Sequence, residues 1–155
     1  MPQYQEYLRL LRELCGEIKR LTELGKKQLE AVQEHDLDAL DVCMKQMQAA
    51  SLTLRGLEQK RKQLQKDMEL DENLTLREMS LHCPKEYQRE TDSLIAEILS
   101  AYQVLRSTQE PARTMMERDL RAIKKELEAR GIQQETEDHY RSGGISADPR
   151  TDFRV

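Results

Sequence analysis

Few side chains in this sequence are spaced for chemistry. His82 and Cys83 are adjacent. Neighbours on a helix point ~100° apart, and no third or fourth ligand stands near them, so the pair lacks the spacing of a zinc site. His35 and His139 are lone histidines, one at a helix boundary and one near the C-terminus. Cys15, Cys43 and Cys83 lie far apart. Cys15 and Cys43 sit beside apolar positions, where a thiol acts as a small hydrophobe, and all three read as reduced. The acidic pairs Asp36/Asp38 and Glu135/Glu137 fall in exposed segments. Capping and solvation account for them more simply than acid–base catalysis, which needs a cleft that shifts their pKa values. No Gly-rich phosphate loop and no Ser/His/Asp or Cys/His set is present. The expectation is a protein that is not an enzyme and takes no metal or cofactor.

The charge pattern argues against nucleic acid. The chain has 155 residues, a net charge of −4, and Lys and Arg interleaved with Glu and Asp. Lys60-Arg61-Lys62 is the densest basic run, but Glu58 and Asp67 flank it, and it reads as a solvated helix face. No apolar run approaches the ~20 residues of a membrane span, and no signal-peptide core follows Met1, which predicts a cytosolic protein without membrane insertion.

What remains is the placing of apolar residues. Tyr4, Tyr7, Leu11, Leu14, Ile18, Leu21, Gly25, Gln28 and Val32 advance in steps of three and four. So do Leu37, Leu40, Met44, Met47, Ser51, Leu54, Glu58, Arg61, Leu64 and Met68. A third run passes through Tyr87, Thr91, Leu94, Ile98, Tyr102, Leu105, Gln109, Ala112, Met116, Ile123 and Leu127. Each run puts one narrow stripe on a long helix, and a narrow stripe is buried only against other helices. With 35% charged residues and 4% aromatics, the composition suits well-solvated helices with thin cores.

The elements follow from local signals. The first helix should span about Gln3 to Gln33, with Gly25 letting a neighbour come close. Asp36 is a good N-cap for a second helix over about Leu37 to Glu69. Each should be ~45 Å long, and so short a connection makes them antiparallel neighbours. Thr75-Leu-Arg-Glu78 is a capping box, and Pro84 suits the start of a third long helix. Pro111 interrupts that helix, yet the stripe keeps its phase, which predicts one kinked helix to about Arg130 with Gly131 as its C′ residue. If Pro111 breaks it, the protein has four helices.

The fold class expected is all-α: an elongated antiparallel bundle of three long helices over residues 1–130 and a flexible tail over 131–155. The tail carries Tyr140, Ile145 and Phe153, the chain's one phenylalanine. It reads either as a docking segment or as an inert end. Met115 and Met116 adjoin, so at least one leaves the buried stripe. Flexible thioethers suit either core filling or a surface that adapts to a partner helix.

In order along the chain stand Leu8, Leu11 and Leu14, then the stretch from Leu29 through Asp36 to Leu40. Leu57-Glu58-x-x-Arg61-x-x-Leu64, the Leu74-Thr75-Leu76 link, a long last helix and a Gly-containing tail with a Tyr follow. In that order they resemble the FlgN-type flagellar export chaperones. The resemblance covers nearly the whole chain. It implies a bacterial cytosolic protein that holds hook-associated (hook–filament junction) proteins before secretion. It implies that the later helix covers the client's amphipathic terminal helices, with Met116, Leu120, Ile123 and Leu127 as the candidate face. It also implies a tail tyrosine that docks to the flagellar export gate, and Tyr140 is the matching position; read as a docking segment, the tail adds Phe153 as a candidate partner-binding residue. The same stripe can instead complete the bundle core. The rival function is a homo-oligomeric coiled-coil scaffold or adaptor whose stripes seal against copies of itself.

Overall fold

The computed structural model describes residues 2–131. Among them are two long helices, α1 (Pro2–Gln33) and α2 (Leu37–Asp67), a single turn α3 (Leu76–Met79), and a third long helix α4 (Gln88–Ala129) entered through a 3₁₀ turn at Lys85–Tyr87. α1, α2 and the end of α4 fall within about two residues of where the sequence expects, the usual fraying at helix ends, whereas α4 begins at Gln88, four residues after the expected Pro84, because the 3₁₀ turn takes up the intervening chain. The tail, with Tyr140 and Phe153, lies outside the described residues.

Local chemistry sets the ends. Asp36 accepts from the Ala39 amide at 3.0 Å and caps α2. Thr75 and Glu78 form both bonds of the capping box on α3. The α1–α2 turn is a Schellman motif, with the Asp36 amide donating to Ala31 O at 3.0 Å and the His35 amide to Val32 O at 3.2 Å. α2 ends the same way, with Leu70 bonded to Gln65 O and Glu69 to Lys66 O. The left-handed residue each motif needs is not glycine here, but His35 (φ 54°) and Glu69 (φ 63°), whereas Gly131 (φ 72°) serves α4.

α1 is the central helix and packs along both α2 and α4. Tyr7 bonds to Gln65 near one end of the bundle and Cys43 to Leu24 near the other, so α2 runs antiparallel to α1. α4 is paired at Tyr4–Thr91 and again at Gln28–Met116, so it runs parallel to α1. The bundle is thus up-down-up, and the α3 link carries the chain from the end of α2 to the start of α4. A Cβ on Gly25 would stand 3.3 Å from Thr108 Cγ2, which is the close approach the sequence predicts for that position.

Pro111 does not break α4, which runs unbroken from Gln88 to Ala129. Pro111 is exposed, so the Ser107 carbonyl that loses its amide partner also faces water.

Two stripe positions correct the sequence reading. Leu37 is 70% exposed. It is the first residue of α2, at the tip of the hairpin beyond the last buried residue of α1, Val32, and no helix covers it. Arg61, expected on a solvated basic face, is 1% exposed. The stripe dictates its position, and a buried carboxylate makes that position tolerable.

The apolar core divides in two. The main cluster runs from Tyr4 to Leu24 on α1, with Cys43 to Leu57 on α2, Leu76 and Met79 on the link, and Leu94 to Leu105 on α4. A separate small cluster at the hairpin end holds Ala31, Val32, Leu40 and Met116, flanked by Met44 and Met115.

Candidate functional site

The candidate stripe on α4 passes from closed to open along its length. Met116 is 2% exposed, inside the small cluster, and its sulfur accepts from Gln28 Nε2 at 3.6 Å. Leu120, one turn further on, is also buried. Leu127 is half-buried, and Ile123 is 40% exposed. Met115 is also half-buried against the small cluster, so neither methionine faces fully outward.

Geometry explains the gradient. Gln28 lies level with Met116. α1 ends at Gln33, so roughly the last two turns of α4, ~12 Å, project past it. The helix that would cover Ile123 and Leu127 has ended. On the α1–α2 hairpin, Leu37 and Val42 are also exposed. Val42 borders an open groove of about 640 Å³ between α1 and α2, rimmed by Lys27, Glu30, Glu34 and Asp38. Met116 and Leu120 therefore belong to the closed bundle, and Ile123 and Leu127 to its open extension. Tyr140 and Phe153 fall outside the described residues.

The opposite end is tied by polar side chains. Arg61 grips Glu58 with two bonds, Nε to Oε2 at 2.9 Å and Nη2 to Oε1 at 2.5 Å. Its Nη1 donates to Gln65 Oε1 at 2.7 Å and to Leu74 O at 3.3 Å. The Tyr7 hydroxyl donates to the same Gln65 oxygen at 2.8 Å, and Gln65 Nε2 donates to Asp71 O at 3.0 Å. Burial pushes the Tyr7 hydroxyl's pKa up, against the pull of the Arg61 charge beside it. Burial works against the Arg61 cation, but its bonds to Glu58 outweigh that and hold its pKa above the ordinary value. Among the described residues no buried side-chain polar atom lacks a partner. One cation and one anion cancel, and the network joins α1, α2 and the link carbonyls. Sequence reasoning placed Glu58 and Arg61 on the stripe but did not see a network. The available signal was an acid and a base three apart at core positions.

α1 and α4 are also tied at this end. Tyr4 hydrogen-bonds with Thr91, Gln5 donates to Tyr87, Arg12 pairs with Glu90, and Lys19 pairs with Glu97 at 2.6 Å. The rings of Tyr4 and Tyr87 lie 5.2 Å apart.

The chemical candidates do not assemble. His82 is exposed, and the Cys83 thiol donates to Gln88 Oε1 at 3.0 Å. Cys15 and Cys43 are free and buried, and burial raises both thiol pKa values, away from the reactive thiolate. Among the described residues no three His, Cys, Asp or Glu gather as metal ligands, and no helix is long and apolar enough to cross a membrane.

No family model, curated protein or solved structure matches this chain.

Proposed function

We propose that this protein is a non-enzymatic, cytosolic bacterial export chaperone of flagellar type III secretion that shields hook-associated proteins before they leave the cell. The observation that carries the reading is the α4 stripe, closed at Met116 and open at Ile123 on turns that outrun α1. An unassembled client exposes amphipathic terminal helices. A helix that offers Ile123 and Leu127 on turns that outrun α1 among the described residues can take such a helix face to face. Each aliphatic side chain fully covered would contribute ~1.5–3 kcal/mol, so a handful of anchors gives micromolar affinity. The resemblance to the FlgN-type chaperones supplies the class of client and the gate-docking role of Tyr140.

The test is titration calorimetry of a purified hook-associated protein into the parent chain and into Ile123→Asp/Leu127→Asp. Both substitutions lie outside the closed core, so circular dichroism and the melting profile should match the parent. Client affinity should fall at least tenfold. Undiminished binding by the folded variant rules out this face. Tyr140→Ala should keep the client and weaken docking to the export gate. A self-associating scaffold would instead bury the open stripe against a second copy, and light scattering of the free protein distinguishes that reading by mass.

A further inference from the structure

The α1–α2 hairpin carries a second surface, away from α4. From Gln28 to Met44 the chain holds the acids Glu30, Glu34, Asp36, Asp38 and Asp41 and neither lysine nor arginine. Two of these are engaged: Asp36 caps α2, and Asp41 pairs with Lys45 at 3.0 Å. Glu30, Glu34 and Asp38 are exposed and have no side-chain partner among the described residues. All three stand on the rim of the open groove of about 640 Å³, where Lys27 is the one cation. The end of α1 and the start of α2 carry opposite half-charges there, so the carboxylates decide the sign. Unpaired carboxylates on a solvated helix face are ordinary. What sets these apart is that they flank exposed aliphatic carbon on both walls of one groove. Buried Ala31 and Cys43 form its floor, and exposed Ala39 and Val42 line it.

The sign of the charge limits the occupant. Nucleic acid and anionic lipid, both rich in phosphate, are repelled. The carboxylates are not gathered to hold a metal ion. We propose that this groove docks a basic amphipathic helix of another protein, with aliphatic side chains laid on Ala39 and Val42 and lysines or arginines reaching Glu30, Glu34 and Asp38. Each wall is about two turns long, ~10–12 Å over Lys27–Glu34 and Asp38–Gln46, so two to three turns of the partner are engaged. The apolar floor supplies contact, as in other helix-in-groove complexes, and the acidic rim selects the partner's charge. The surface is separate from Ile123 and Leu127, and the proposal stands or falls apart from the chaperone reading.

The probe is a fluorescent amphipathic helix of ~14 residues, ~21 Å long, built from leucine and lysine, with a leucine–glutamate helix beside it. Each is titrated into the full chain and followed by anisotropy. The leucine–lysine helix should bind and the leucine–glutamate helix should not. Binding should weaken several-fold as NaCl rises from ~50 to ~300 mM. Glu30→Lys/Glu34→Lys should cut affinity ~10-fold or more. Val42→Ser, which removes aliphatic surface and leaves the charge alone, should cut it ~5-fold. Glu13→Lys/Glu86→Lys makes the same change in net charge away from the groove and should bind as the parent does. All the substituted residues are exposed, so circular dichroism of each variant should match the parent. Equal losses in the two charge variants overturn the proposal, because net charge alone would then explain them. Undiminished binding by Glu30→Lys/Glu34→Lys or by Val42→Ser overturns it too. So does a parent dimer, seen by sedimentation, that Glu30→Lys/Glu34→Lys splits, since the occupant would then be a second copy.

Discussion

Replacing Arg61 with leucine probes the least obvious part of this fold. The guanidinium is 1% exposed, and its partner Glu58 is 3% exposed. Arg61→Leu removes both bonds to Glu58 and those to Gln65 and Leu74 O, and it leaves a carboxylate in the core without its cation. Breaking a buried pair from one side costs ~3–5 kcal/mol. A domain of this size has ~5–15 kcal/mol in all, so about a fifth or more of the stability should go. In urea, with a slope of ~2 kcal/mol/M, the midpoint should drop by ~2 M. The double variant Glu58→Leu/Arg61→Leu removes the stranded charge and fills the space with apolar atoms. Gln65 keeps the Tyr7 hydroxyl as a donor. That variant should return to within ~1 kcal/mol of the parent or exceed it. Urea titrations followed by circular dichroism, run as a double-mutant cycle, read the coupling directly. If Arg61→Leu costs under ~1 kcal/mol, as an exposed pair would, the buried-network argument is wrong. If the double variant is as unstable as the two single losses added together, the pair is not the source of the cost.

Other outcomes follow from the helix ends and the surface. His35→Gly and Glu69→Gly should each stabilise by ~0.5–1 kcal/mol, because glycine enters the left-handed region without the Cβ penalty, and the two gains should add since the sites lie far apart. A lower urea midpoint for either variant would mean that its Schellman turn is not as described. The bond from Lys19, and then its charge, hold the Glu97 carboxyl below its ordinary pKa. A depressed folded value means that this contribution is full above the ordinary carboxylate pKa and fades as pH falls through the folded one. Carbon-detected NMR of Glu97 should show its midpoint rising when Lys19→Met removes the donor, and an unmoved midpoint would refute the link.

The sequence by itself determined everything that depends on neighbours within a turn or two. Asp36 and the Thr75/Glu78 box placed helix starts, because a cap needs only the amides that follow it. The three-and-four spacing of Tyr4 to Val32 marked a buried face, because a helix repeats every 3.6 residues wherever it sits. Gly25 announced a close approach and Gly131 a helix end for similar reasons. The open and closed halves of the α4 stripe were not legible, since Met116 and Ile123 occupy equivalent places on the same face. What separates them is where α1 stops beside them, and that depends on the register between two helices 88 positions apart at the Gln28–Met116 contact. The fate of Arg61 was hidden in the same way. Its charge argued for water and its spacing for the core, and the choice fell to the core only because Glu58, Gln65, Tyr7 and the link carbonyls converge on it in space. Local sequence determines which face of a helix is apolar. Only the tertiary structure decides which length of that face finds a neighbour, because cover comes from chain that is far away in sequence.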